Sequence, residues 1–302
     1  MKKFFTLIIC ALALNFFVPA QVQAVDGDHL TGSIEKFYAS LPKAKGEYKS
    51  RQRPIMIQGA MNTETEVLIR ALKNPVAYRE LNYLFVAGTY KNYPVVIVRT
   101  EQGVANAAAS TALAIKKFNP IAVINQGTSG GHDSSLKVGD IVIGERSIDS
   151  SAIKTGYSPA GAGAQLTAQE MRGTYSYDEA KKIFVPYKEY SADTTLFNIA
   201  FAVANAHEEF NTVTGVIATT NTWLNNIDYI NFLHETYGST CEEMETNSAA
   251  QICYTAGVPF IGIRVISNNI LTESPYEAES ATICQDFVLL VVDDYIRDVL
   301  KK

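Results

Sequence analysis

The chain has 302 residues, 47% of them hydrophobic and 19% charged, and a formal net charge of −5. That length holds one large α/β domain or two small ones, and the composition is that of an ordinary globular protein with no internal repeat or low-complexity segment. An acidic balance without a basic stripe excludes nucleic acid and anionic membrane as general partners.

In chain order, Lys2 and Lys3 precede an apolar run over residues 4–18, and Val22-Gln23-Ala24 ends it with small residues suited to cleavage. This is the layout of a secretory signal peptide over residues 1–24, too short and wrongly flanked for a stable span. The mature chain is then expected to start near Val25 and to be periplasmic or secreted, with no membrane attachment. Export leaves Cys241, Cys253 and Cys284, an odd number in an oxidising compartment, and buried free thiols are the default reading.

Residues 25–53 are a polar lead-in, loose or with a short helix over 34–41. Order begins at Pro54. Residues 55–58 read as a strand with Gly59-Ala60-Met61 as its exit, and residues 63–73 as an amphipathic helix with Glu64 and Glu66 in its first turn. Residues 84–90 and 93–99 read as two strands joined at Lys91-Asn92, followed by an alanine-rich helix to Lys117. Residues 121–125 form a buried strand feeding a glycine turn over 127–131, and 137–144 a turn and a further strand. Residues 150–190 break the rhythm and read as an excursion over the surface. A helix over 193–206 and a strand over 214–219 resume it, and Trp223, the single tryptophan, falls just past that strand's end.

Glu242, Glu243 and Glu245 bracket Met244 at the expected start of a helix over 247–256, where carboxylates suit the positive end of the dipole. Gly257 and Pro259 end that helix, and residues 258–266 form a buried strand interrupted by Arg264. A charge in such a strand requires a partner: either a structural ion pair with one of the glutamates or a ligand. Alternating strands and helices predict a single α/β domain with a mostly parallel or mixed sheet flanked by helices. Strand ends then gather Glu64, the 127–131 turn, Trp223, the acidic triplet and residues 264–268 at one rim. No metal-spaced His/Cys cluster, nucleophile elbow or phosphate loop is present, and His132, His207 and His234 read as isolated structural or surface residues.

Several words in order carry a family resemblance: Gly59-Ala60-Met61-x-x-Glu64; Ile124-Asn125-x-Gly127-x-Ser129-Gly130-Gly131 with Leu136-Lys137-Val138-Gly139-Asp140; and Glu243-Met244-Glu245 with Val258-Pro259-Phe260 and Arg264-x-Ile266-Ser267. Through them residues 54–301 resemble the nucleoside phosphorylase/hydrolase superfamily, and within it the 5′-methylthioadenosine/S-adenosylhomocysteine nucleosidases. The resemblance implies that Glu64 activates the attacking water and Arg264 helps to position it. It implies that Glu245, with Glu243, binds the ribose hydroxyls and that Met244 packs under the sugar. Trp223 would stack on the purine, Leu224 would offer backbone contacts to it, and Gly130 and Ser267 would line the same site. A homodimer is also implied, and no metal or cofactor is expected.

One position departs from the pattern. The nucleosidases carry an aspartate after the Ile-Ser pair, and this chain has Asn268. An amide cannot protonate the purine N7, but it can donate a hydrogen bond to N7 and to a 6-oxo group. The expected function is therefore water-dependent cleavage of purine nucleosides, favouring 6-oxopurines. The alternatives are a 5′-methylthioadenosine/S-adenosylhomocysteine nucleosidase, a purine nucleoside phosphorylase, or a non-catalytic purine-binding or storage protein. Glu101, placed where a phosphate would be unwelcome, argues for water, while Arg99 nearby leaves phosphate open.

Overall fold

Apolar, β-branched runs build the centre of the molecule, because strands covered on both faces bury every side chain. The computed structural model describes residues 31–163 and 165–300; the expected leader lies outside them. Helix α1 (Thr31–Ser40) precedes β1 (Ile55–Gly59), α2 (Glu66–Ala71), β2 (Lys73–Glu80), β3 (Tyr83–Tyr90), β4 (Tyr93–Arg99) and α3 (Val104–Phe118). Strands β5 (Ala122–Gly131) and β6 (Ile141–Asp149) follow. The excursion carries β7 (Ile153–Lys154), β8 (Glu170–Met171), β9 (Thr174–Asp178), β10 (Ile183–Tyr187) and β11 (Glu189–Ser191). Then come α4 (Thr194–Ala206), β12 (Thr212–Thr219), α5 (Ile227–Tyr237), β13 (Ser239–Glu243), α6 (Thr246–Ala256), β14 (Phe260–Asn268) and α7 (Ser280–Tyr295).

The sheet is mixed, as expected. Strand β1 runs parallel to β4 and β5, and β14 runs parallel to β5, whereas β2, β3 and β4 form an antiparallel meander. Strands β5, β14, β6, β12 and β13 pair successively and β13 returns to β5, so this half of the sheet closes on itself. Helix α3 packs on α6, and α7 on α4 and β14. Phe287, Val288, Val291 and Val292 form the buried stripe of α7 at helical spacing and join the main core.

Three local expectations change. Helix α2 stops at Ala71, and β2 begins at Lys73, because Pro75 bars continued helix and biases the residue before it out of the α region. The glycine stretch 127–131 is the extended end of β5 rather than a turn. Glu242 and Glu243 lie on β13, not in a helix, and only Glu245 stands at the N-terminus of α6. Pairing of β13 with β12 and β5 overrides the local preference, since each ladder satisfies backbone groups that a loop would leave buried.

Candidate active site

The ends of β1, β5, β13 and β14 surround an open cavity, at the carboxyl ends of the parallel strands. Glu64 enters it from the turn between β1 and α2. Its Oε2 accepts the backbone N–H groups of Ala60 (2.7 Å) and Met61 (3.1 Å), and its Oε1 accepts the N–H (2.8 Å) and Oγ1–H (2.9 Å) of Thr128. Four donors from two elements fix the carboxylate in place. Gly127 makes room for it: a Cβ there would lie 2.7 Å from Glu64 Oε1.

Glu243 and Glu245 project from the end of β13 and the start of α6. Glu243 Oε2 accepts from Arg264 Nη2 at 2.5 Å and from the backbone N–H of Glu245 and Thr246 at 2.8 Å each, and its Oε1 accepts from Thr219 Oγ1. Burial alone would raise the Glu243 carboxyl, but the Arg264 charge and these hydrogen bonds hold it below the ordinary carboxylate range. Glu245 Oε1 accepts the Gly103 N–H at 2.8 Å, while its Oε2 stays 3.9 Å from Arg264. Burial first, and then the neighbouring Glu243 charge, push the Glu245 carboxyl up to about 8.

At the far end of the cavity Trp223 is 54% exposed at the mouth and meets Tyr276 edge to face, with ring centroids 5.7 Å apart. Asn268 ends β14. Its Oδ1 accepts from Ser267 Oγ at 3.1 Å, and its Nδ2 lies toward Gly130. Met244 and Ser129 also line the cavity.

Glu64, Gly130, Trp223, Glu243, Met244, Glu245, Ser267 and Asn268 thus share one cavity, although they come from five places in the chain. Two expected residues stand elsewhere. Arg264 lies behind the carboxylates, with Nη2 on Glu243 and Asn125 Oδ1 and Nη1 on the Ile263 carbonyl, so it shapes the site through Glu243 and does not line it. Of the two readings open for its charge, the ion pair is the one formed. Leu224 is buried outside the lining, and its N–H donates to Glu242 Oε1 at 3.1 Å. Glu243, with both oxygens occupied, has less to offer a ribose than Glu245.

Thr128, Gln102, Tyr276 and the Gly103 N–H belong to the site without having been singled out by pattern. Thr128 lies inside the glycine word, where its hydroxyl was detectable; Tyr276 follows β14 in irregular chain and leaves no periodic signal. Four glutamates line the cavity and no lysine or arginine does. Arg99 is engaged with Glu101 (Nε 3.0 Å and Nη2 2.8 Å) and with Asn62 (2.8 Å).

The phosphorylase superfamily model matches residues 54–296. A 5′-methylthioadenosine/S-adenosylhomocysteine nucleosidase of Geobacillus sp. (strain WCH70) is 30% identical over 244 residues, 79% of this chain and 97% of that protein. The fold matches the crystal structure of the Neisseria meningitidis nucleosidase of that name, bound to methylthio-immucillin-A, with TM-score 0.67, 22% identity and coverage of 80% of this chain and 100% of that one. The Colwellia psychrerythraea 34H enzyme of the same name, in complex with adenine, matches with TM-score 0.64 at 26% identity over 82% of this chain and 97% of that one. The chain therefore belongs to the phosphorylase superfamily, as an enzyme of the nucleosidase kind.

Proposed function

We propose that the protein hydrolyses the N-glycosidic bond of purine nucleosides, with Glu64 as general base toward water. The observation that carries this reading is the Glu64 carboxylate, fixed by four donors in a cavity that no lysine or arginine lines. A carboxylate so placed stabilises the positive charge that develops on the sugar as the base departs, and the lining offers phosphate no cation. As the bond between C1′ and the purine nitrogen breaks, Glu64 takes a proton from water and the hydroxyl adds to C1′. Glu245 holds the ribose hydroxyls. The base departs with the bonding electrons and is protonated from solvent, since Asn268 offers N7 a hydrogen bond and no proton. The engagement of Arg99 with Glu101 and Asn62 supports water over phosphate as nucleophile.

For the substrate, the names of the relatives support a 5′-thio-substituted adenine nucleoside better than the plain 6-oxopurine nucleoside. Asn268 supports a second reading, at the other end of the molecule: a 6-oxopurine base. The test is a two-by-two panel of adenosine, inosine, 5′-methylthioadenosine and 5′-methylthioinosine, with and without phosphate, following free base. Release without phosphate is expected, with a preference in each pair that reads one end of the substrate independently. No release from any of the four sinks the hydrolase reading, and release that requires phosphate replaces it with a phosphorylase. Residues 1–24 are proposed to direct export, with processing before Val25.

A further inference from the structure

Two amide side chains in the central strands have no part in the apolar core around them. Gln58 on β1 and Asn125 on β5 are fully buried, and they stand side by side in the register of the two strands. Burying an amide costs free energy unless its groups find partners. Here the partners form one line. Arg264 Nη2 donates to Asn125 Oδ1 (2.5 Å), Asn125 Nδ2 to Gln58 Oε1 (3.1 Å), Gln58 Nε2 to Thr111 Oγ1 (2.8 Å), and the Thr111 hydroxyl to the Ala107 carbonyl (2.6 Å).

The ends of this line fix its direction. A guanidinium can only donate and a main-chain carbonyl can only accept, so both amides between them are held in one orientation. With Asn125 turned the other way, its NH2 group would face the guanidinium, donor against donor. The line joins two elements that meet again at Glu245. At one end Arg264 holds Glu243 Oε2, which also accepts the N–H groups of Glu245 and Thr246 where α6 begins. At the other end Thr111 and Ala107 belong to α3, and the Gly103 N–H at the start of that helix donates to Glu245 Oε1. Gln58, Asn125 and Thr111 themselves stand outside the cavity lining.

We infer that Gln58, Asn125 and Thr111 are positioning residues for the sugar: they lock Arg264 and helix α3 to each other and so hold Glu245 where it meets the ribose hydroxyls. The inference rests on the nucleosidase reading and deepens its sugar end. Gln58→Leu leaves Asn125 Nδ2 without an acceptor, and Thr111→Val leaves Gln58 Nε2 without one, so each breaks the line at a known point.

The experiment compares the full chain with Gln58→Leu, Thr111→Val and the double variant, measuring kcat and KM for the nucleoside cleaved best and the inhibition constant of its free base. KM is expected to rise by about tenfold in Gln58→Leu and by less in Thr111→Val, with kcat within about threefold, the pattern of binding lost equally in ground and transition states. The free base, which lacks the sugar, should inhibit as well as before. The double variant should be no worse than Gln58→Leu, since both changes act on one line. Val96→Ala, which truncates the core that α3 packs on, controls for lost stability alone and should leave KM unchanged. An unchanged KM in both single variants overturns the inference, as does a parallel loss of free-base affinity or the same KM rise in Val96→Ala. If Gln58→Leu does not fold, the isosteric Thr111→Val decides alone. If the wild type cleaves no nucleoside, the nucleosidase reading fails, and calorimetric affinity for nucleoside against free base decides the inference by the same ratio. Binding of no nucleoside overturns it as well.

Discussion

Glu64 combines full positioning with access to the cavity, so its replacement separates chemistry from binding. Glu64→Gln keeps the shape but places an amide before the donors of Ala60, Met61 and Thr128 and removes the base. Turnover is expected to fall by about 10²–10⁴-fold with substrate binding within a few-fold, measured by single-turnover kinetics and calorimetry. Retained turnover would move the base role to another residue. Glu245 leads to a pH prediction. Its folded value of about 8 lies above the ordinary 4.5, so between these values the folded state keeps a proton that the unfolded state has released. Stability linked to this group is fully present below pH 4.5 and is lost as pH rises toward 8. Glu245→Gln removes that slope. Urea unfolding should show the variant gaining on the wild type from pH 6 to pH 9, by on the order of a few kcal/mol at most. A constant difference across that range would remove the basis for the raised value.

Between β13 and β14, the Glu243–Arg264 pair shows what an element-level contact does. Truncating one partner leaves the other charged and buried, so Arg264→Met is expected to cost about 3–5 kcal/mol. The double variant Arg264→Met with Glu243→Gln should recover part of that loss, and a double-mutant cycle on denaturation midpoints checks it; strict additivity would mean that the pair is not coupled. Strand β5 carries the other element-level device. Its glycines let the strand end pass close beneath the site, and at Gly127 an added methyl group would meet the Glu64 carboxylate at 2.7 Å. Gly127→Ala should therefore lower kcat by about 10²-fold through displaced geometry, with a smaller change in KM. An unchanged kcat would show that Glu64 is not held to one position.

At the scale of the molecule, the sheet and the helices packed on it bury Cys241, Cys253 and Cys284 as free thiols. Burial pushes the Cys241 and Cys284 thiols up to about 12, and that of Cys253 upward as well. No rapid reaction with a thiol reagent is expected in the native protein. On unfolding, three thiols should appear if the chain is processed before Val25 and four if Cys10 is retained, and intact mass checks the same cut. Rapid native labelling of any of the three would contradict their burial.

Element type was legible where a run answers to a single period. Strands β1, β3, β4, β5, β6, β12 and β14 and helices α3, α4 and α6 follow from apolar runs, small-residue stretches and breakers. The rim residues were also legible, because each stands at the end of such a run and together they form ordered words. Only the tertiary structure decided that Glu242 and Glu243 lie on a strand, that the sheet closes through β13, and that Arg264 serves Glu243 while Glu242 takes the Leu224 N–H. The physical reason is range. Periodicity records which face of an element is buried, whereas the partner of a buried charge or N–H is chosen by segments far off in the chain: 139 residues separate Asn125 from Arg264 and 217 separate the Leu68 N–H from Gln285.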